Sequence, residues 1–352
     1  MAGNTARARE QIRLLCEGNA DARTLRIEVL AVLRRVIGFD AYVWLITDPE
    51  TSVGSAPQAD VPCLPELPRL IQLKYLTTVN RWTSMITPVA SLCQVTGGEL
   101  ARSLMWRDLL SRYQIGDIAT SVYRDRFGCW AFLDLWRTQQ APPFAAAELE
   151  FLHSITRPLT TALRHSQAAA FAVAPAGEQP SAGPVVLLLS PELEVRAQTP
   201  QTQRYLRLLV PPDSAAHAPV PAGAYNVGAQ LLAREAGVDG NPPLARVHLG
   251  GGHWLTLRAD RIGSAQPAAA RDIAVSIETT DSGGRLSLFT RACGLSSREA
   301  ELLGHVVVGA PTRDIAKLMF VSEHTVQDHL KSIFIKTGTR TRRALLARVL
   351  RT

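Results

Sequence analysis

Lysine is nearly absent: only four of the 352 residues are lysine, and three of them (Lys317, Lys331 and Lys336) fall in the last fifth of the chain. Cysteine is sparse too. Cys16, Cys63, Cys93, Cys129 and Cys293 are scattered and odd in number, with no CxxC pair or other metal-ligand spacing. That argues against a disulfide scaffold and a structural metal site and favours reduced thiols in a cytoplasmic protein. No apolar run approaches the roughly 18–20 residues of a membrane span, and residues 1–10 lack the apolar segment of a secretion signal. A membrane partner is therefore not expected. Neither G-x-x-x-x-G-K-[ST], G-x-S-x-G, H-E-x-x-H nor G-x-G-x-x-G after a strand occurs. The chain is thus read as a non-enzyme that needs no cofactor and no metal.

Excess charge is missing from most of the chain as well. The formal net charge is +7, from 38 basic and 31 acidic side chains. Residues 285–352 hold 12 of the basic and 5 of the acidic groups, which accounts for all of it and leaves 26 of each in the other 284 residues. A basic excess confined to one end points to a polyanion partner for that end.

What is present is an ordinary apolar content of 46%, enough for a folded chain of two or three domains. Residues 166–184 dissolve a helical pattern into Ala, Pro and Gly, as an interdomain linker does. TTDSGG, 279–284, is a second break. The first unit reads as helices at 25–37, 67–76, 99–110 and 145–165, with strands at 42–47, 122–127 and 130–136, the last two joined at Gly128. In the second, strands at 185–189 and 193–197 precede helices at 201–209 and 225–236, and strands at 245–249, 253–258 and 273–277 end it. Gly250, Gly251 and Gly252 read as a hairpin turn. Both orders are those of α+β domains.

The basic end carries four short helices with their caps. Ser296 and Glu299 form a capping box for a helix over 298–308 that stops at Gly309. Pro311 opens a second helix, with Ile315, Ala316 and Met319 inward. Ser322 caps a third, which buries Val326, Leu330 and Ile333 and leaves Gln327, Asp328 and Lys331 outward. Thr341 caps a fourth, packing Leu345, Leu346 and Val349. Two helices joined by a tight turn, the second with a long-armed polar face, match the helix-turn-helix whose second helix enters a major groove about 12 Å wide.

GLSSREAELL, 294–303, and DIAKLMFVSEHTVQDHLKSIFIKTGTRTR, 314–342, resemble the C-terminal domain of LuxR-type bacterial transcription regulators. The resemblance implies base reading by Gln327, Asp328 and Lys331 and phosphate contacts from Thr325, Lys336 and Arg342; Arg340 and Arg343, at helix ends, and Ser322, beside its role as a cap, are further phosphate-contacting candidates. Two positions depart from the family: Gln327 stands where a basic residue is common, and Asp328 brings a carboxylate towards the DNA.

No βαβ alternation of a receiver domain is found upstream. On the order of their elements, the first unit resembles a GAF-type and the second a PAS-like sensory domain, which implies a small-molecule, redox or partner signal. The resulting division is a GAF-like domain over 1–168, a linker over 169–184, a PAS-like domain over 185–280 and an all-α four-helix helix-turn-helix domain over 285–352. Trp44, Trp82, Trp106 and Trp130 are candidates to line a ligand pocket, with core packing as the alternative reading. The expected partners are double-stranded DNA and a second copy of the chain, with RNA polymerase as a further candidate. Two other functions stay open: a signal-binding protein whose basic domain docks a protein partner, and a sensory module with its own enzymatic activity.

Overall fold

A computed structural model describes residues 2–172, 185–209, 221–249, 252–263 and 267–350. The chain begins with helices α1 (Ala2–Glu17) and α2 (Ala22–Val36) and strands β1 (Ala41–Thr47) and β2 (Gly54–Asp60). There follow α3 (Leu67–Leu76), β3 (Val89–Ser91), α4 (Leu92–Thr96), α5 (Leu104–Asp108), β4 (Ile115–Asp125), β5 (Gly128–Thr138) and α6 (Ala146–Ala170). The middle of the chain holds β6 (Val186–Leu189), β7 (Val195–Gln198), α7 (Thr202–Leu209), α8 (Ala222–Glu235), β8 (Leu244–His248), β9 (Trp254–Arg261) and β10 (Ile273–Thr279). Five helices end it: α9 (Ser282–Ala292), α10 (Ser297–Val307), α11 (Thr312–Leu318), α12 (Glu323–Thr337) and α13 (Arg342–Leu350).

These elements divide into two compact units. Unit 1 comprises Met1–Leu163, Gln179–Val247 and Leu255–Glu278; unit 2 comprises Arg164–Glu178, His248–Trp254 and Thr279–Thr352. Among the described residues no helix is long and apolar enough to cross a membrane.

Unit 1 is built on two five-stranded sheets, ordered β2-β1-β5-β4-β3 and β7-β6-β10-β9-β8. The second order is the first shifted by five, so the two sheets repeat one topology. β5 is the buried centre of the first, antiparallel to both β1 and β4. Its turn requires the glycine that marks it. Gly128 has φ +153°, and a Cβ there would lie 2.2 Å from the carbonyl oxygen of Pro49. The adjacent Cys129 N–H donates to that carbonyl at 3.1 Å.

The two sheets are joined through buried charge. Arg246, 6% exposed, donates Nε to Oδ2 of Asp48 at 2.7 Å and a terminal nitrogen to Oδ1 at 2.8 Å, while its backbone N–H also reaches Oδ2 at 2.9 Å. Glu50 takes a further bond from the same guanidinium at 2.7 Å. Arg81 donates Nε and a terminal nitrogen to the single oxygen Oδ2 of Asp239, at 3.1 and 2.7 Å. A bidentate guanidinium–carboxylate pair satisfies most of its polar atoms, which lets both charges stay dry.

Several elements differ from their sequence-based expectation. α1 forms where only a polar terminus was read, and 99–110 breaks into 3-10 turns around α5. α6 runs to Ala170, through residues 166–170 of the stretch where the helical pattern was expected to dissolve and two residues into the linker placed at 169–184. Residues 173–184 lie outside the described residues, as do Gly250 and Gly251 of the expected hairpin turn. The C-terminal segment has five helices instead of four. α9 was hidden by Gly283 and Gly284, which read as a break but sit in its first turn, with Asp281 accepting the Gly284 N–H at 2.6 Å as the cap.

Removing one member of the buried pair strands the other. Asp48→Ala is expected to destabilise unit 1 by about 3–5 kcal/mol, seen as a lower urea midpoint for loss of β-sheet circular dichroism. The exposed Glu50→Ala is expected to shift it far less.

Candidate nucleic-acid interface

The helices of unit 2 close on one apolar cluster. Leu302, Leu303 and Val306 of α10, Ile315 and Ala316 of α11 with Met319 at its C-terminal cap, Val326, Leu330 and Ile333 of α12, and Leu345 and Val349 of α13 are buried together. The spacing of apolar residues in the sequence anticipated the inward faces of α11, α12 and α13, while Leu346 is only half-buried. The cluster also takes in Phe171 and Trp254, whose rings stack at 5.1 Å with Phe289 edge-on to Phe171 at 5.3 Å. Beside them Arg285 donates to the carbonyls of Val349 (2.9 Å) and Gly252 (3.1 Å).

α11 and α12 pack against each other across a short turn. Phe320 makes the turn in the left-handed region, φ +56°, with its side chain 95% exposed. Ser322 then caps α12: its Oγ accepts the Thr325 N–H at 3.1 Å and lies 2.9 Å from the Thr325 hydroxyl. The helix ends at Gly338, φ +62°, which suits the left-handed position. Arg348 donates to the carbonyl of Thr337 in the same last turn.

Glu299 fixes α12 against α10. Within its own helix it completes the capping box, Ser296 Oγ accepting the Glu299 N–H at 3.3 Å and Glu299 Oε2 accepting the Ser296 N–H at 2.6 Å. Across the domain its Oε1 accepts from Ser332 Oγ at 2.6 Å, and Lys336 Nζ spans both oxygens at 2.9 and 2.6 Å. The residue is only 3% exposed. Burial opposes its charge, but the bonds from Lys336, Ser332 and Ser296 outweigh burial and hold the carboxyl down at about 2.

The residues expected to meet DNA are spread over α12 and the start of α13. Gln327, Asp328 and Lys331 are exposed on the outward face of α12, and Thr325 is half-buried. Asp328 pairs with Lys331 at 3.1 Å and with His324 at 3.5 Å, a partner that the sequence reading did not single out. Arg340 and Arg343 are exposed and have no partner among the described residues. Lys336 and Arg342 are engaged otherwise. Lys336 serves Glu299, and Arg342 donates to the carbonyl of Ala310 at 3.3 Å while its Nε is buried without a partner among the described residues. The pairing of Glu299 with Lys336 links positions 37 apart, so the only trace of Glu299 in the sequence was the local capping box.

Of the four candidate tryptophans in unit 1, Trp44, Trp82 and Trp130 are buried and Trp106 is half-buried. Trp44 stacks on Tyr123 at 5.6 Å, and Trp82 stacks on Phe132 at 4.6 Å. The register pairs Trp44 with Leu133, the neighbour of Phe132, so alternation puts Trp44 and Phe132 on opposite faces of the sheet. Trp130 Nε1 donates to Asp125 at 2.9 Å and Trp106 Nε1 to the Ile115 carbonyl at 2.8 Å. Cys129 has Arg124 as its cross-strand neighbour, a basic group not evident from the sequence, yet burial still raises its thiol above the ordinary range. Among the described residues no group of three His, Cys, Asp or Glu is placed to hold a metal ion.

Residues 294–349 match the family described as bacterial regulatory proteins, luxR family. Over 63 residues the chain is 36% identical to the "Probable csgAB operon transcriptional regulatory protein" of Salmonella typhimurium (strain LT2) and equally to the "CsgBAC operon transcriptional regulatory protein" of Escherichia coli (strain K12). The match covers 18% of this chain and 29% of each relative. The chain thus spans less than a third of the length of these curated relatives.

The folded value of Glu299 lies below the 4.5 of an unperturbed glutamate, so its contribution is fully present above about pH 4.5 and is lost as pH falls through about 2. The full contribution is about 3 kcal/mol. Glu299→Gln is expected to melt at lower temperature than wild type at pH 6, with the gap narrowing as pH drops from 4.5 towards 2. Melting followed by circular dichroism across that range checks it.

Proposed function

Because residues 294–349 are a luxR-family helix-turn-helix domain, we propose that the chain is a sequence-specific DNA-binding transcription regulator that sets its exposed α12 face into the major groove. The observation that supports this most directly is the split on α12. One face is locked into the domain by Val326, Leu330, Ile333 and Lys336, and the other presents Gln327, Asp328 and Lys331 to solvent. Those three supply both acceptor and donor groups, the combination needed to discriminate base edges.

The phosphate-contacting set divides in two. Arg340 and Arg343 are free to reach the backbone, whereas Lys336 and Arg342 must first give up or share bonds inside the domain. Ser322 has the same conflict as a cap. A module of this size makes few base contacts, so a homodimer on half-sites about one helical turn apart is the expected binding form. Its mass on and off DNA, measured by analytical ultracentrifugation, reports that state directly.

Regulation by a signal, without catalysis, is the role we assign to unit 1. Its repeated sheet topology favours two related modules of the GAF-like and PAS-like kind. Phe171 and Trp254 stack inside the core of unit 2. Both residues lie outside the family-matched segment, and both bury apolar area among its helices.

Full-length protein is expected to retain duplex DNA with an affinity that falls steeply with salt. Arg343→Ala should weaken binding to all sequences alike and lower the salt slope by about one, whereas Lys331→Ala should also relax base preference, at a cost of about 1–3 kcal/mol. Fluorescence anisotropy over a salt series separates the two. A basic domain that docks a protein instead would show neither slope nor preference.

A further inference from the structure

We propose that Asp328 and Lys331 together read one G·C base pair, with the carboxylate accepting the N4 amino group of cytosine and the ammonium donating to O6 and N7 of guanine. The inference rests on the DNA-binding reading and specifies what that face recognises. Asp328 and Lys331 are three residues apart on the exposed stripe of α12, already joined by a bond of 3.1 Å between Nζ and Oδ1. They therefore present a donor and an acceptor side by side. G·C is the pair whose major-groove edge runs acceptor, acceptor, donor, with N7 and O6 of guanine beside N4 of cytosine, which fits an ammonium spanning two acceptors next to a carboxylate; A·T instead sets its amino group between its two acceptors.

A carboxylate is a demanding reader because, once ionised, it can only accept. The bond from Lys331 keeps the Asp328 carboxyl below its ordinary range, so it is ionised at neutral pH. Thymine and guanine offer it only acceptors and would repel it. Lys331 compensates its charge, holding Oδ1 at 3.1 Å, and Nε2 of His324 stands 3.5 Å from Oδ2. A carboxylate so flanked can approach the groove without presenting a net negative charge to the phosphates. Its side chain is 53% exposed and that of Lys331 69%, so both are free to reach a base edge. Asp328 in this arrangement acts by selection, excluding every base that lacks an amino group at that place.

The test starts with selection of duplexes from a random pool by the full-length wild-type protein. Each cytosine of the selected half-site is then replaced in turn by 2-pyrimidinone, which lacks the 4-amino group, and binding is measured for wild type and for Asp328→Ala. At one cytosine per half-site the replacement is expected to weaken wild type about tenfold and to leave Asp328→Ala unaffected. Because Asp328 lies on the surface, the variant should keep the wild-type melting temperature, which is measured alongside. Insensitivity of wild type at every cytosine, or an equal loss in the variant, overturns the assignment. If the selected duplex still binds with steep salt dependence in that case, the base assignment alone has failed. A pool that yields no retained duplex even at low salt overturns the DNA-binding reading and this inference with it.

Discussion

The orientation of α12 depends on the buried carboxylate of Glu299, which serves two helices at once. With Ser296 it terminates α10 correctly, and with Ser332 and Lys336 it fixes the rotation and the C-terminal half of α12. Apolar packing by Val326, Leu330 and Ile333 would tolerate some sliding of one helix along another, since burial is nearly non-directional. Hydrogen bonds of 2.6–2.9 Å to one carboxylate do not. The exposed face that carries Gln327, Asp328 and Lys331 is thereby set in a single direction relative to α10 and α11.

This arrangement changes the meaning of the basic charge. Of the twelve basic groups between 285 and 352, Lys336 neutralises Glu299, Arg348 and Arg285 bind backbone carbonyls at helix ends, and Arg342 holds the carbonyl of Ala310. Those four are part of the domain's own framework. The groups left for a polyanion are the exposed ones, Lys331, Arg340 and Arg343 among them. The net charge therefore locates the domain correctly and overstates the charge on the face itself.

Local signals were the legible ones. The Ser296–Glu299 box, the Ser322 cap and Gly309 act within a few residues, and each stands where its spacing puts it. Strand pairs around short turns, such as β4 and β5 at Gly128, were legible for the same reason. Pairings between distant residues were not. Asp48 and Arg246 are 198 positions apart and Arg81 and Asp239 are 158 apart; nothing near either partner marks it as buried and paired. α9 was missed because two glycines were weighed above the aspartate that caps them, although a first turn tolerates glycine better than a helix interior does. His324 and Asp328 stand in the i,i+4 relation that joins side chains on a helix.

The central claim is that the outward face of α12 meets DNA, and site-specific photo-crosslinking measures it directly. A photoreactive side chain in place of the exposed Gln327, and another in place of the exposed Glu28 of α2 as the control, would be irradiated in full-length protein bound to duplex DNA. The account predicts covalent DNA adducts from position 327 and none from position 28. Retained DNA with no adduct from 327 would contradict it.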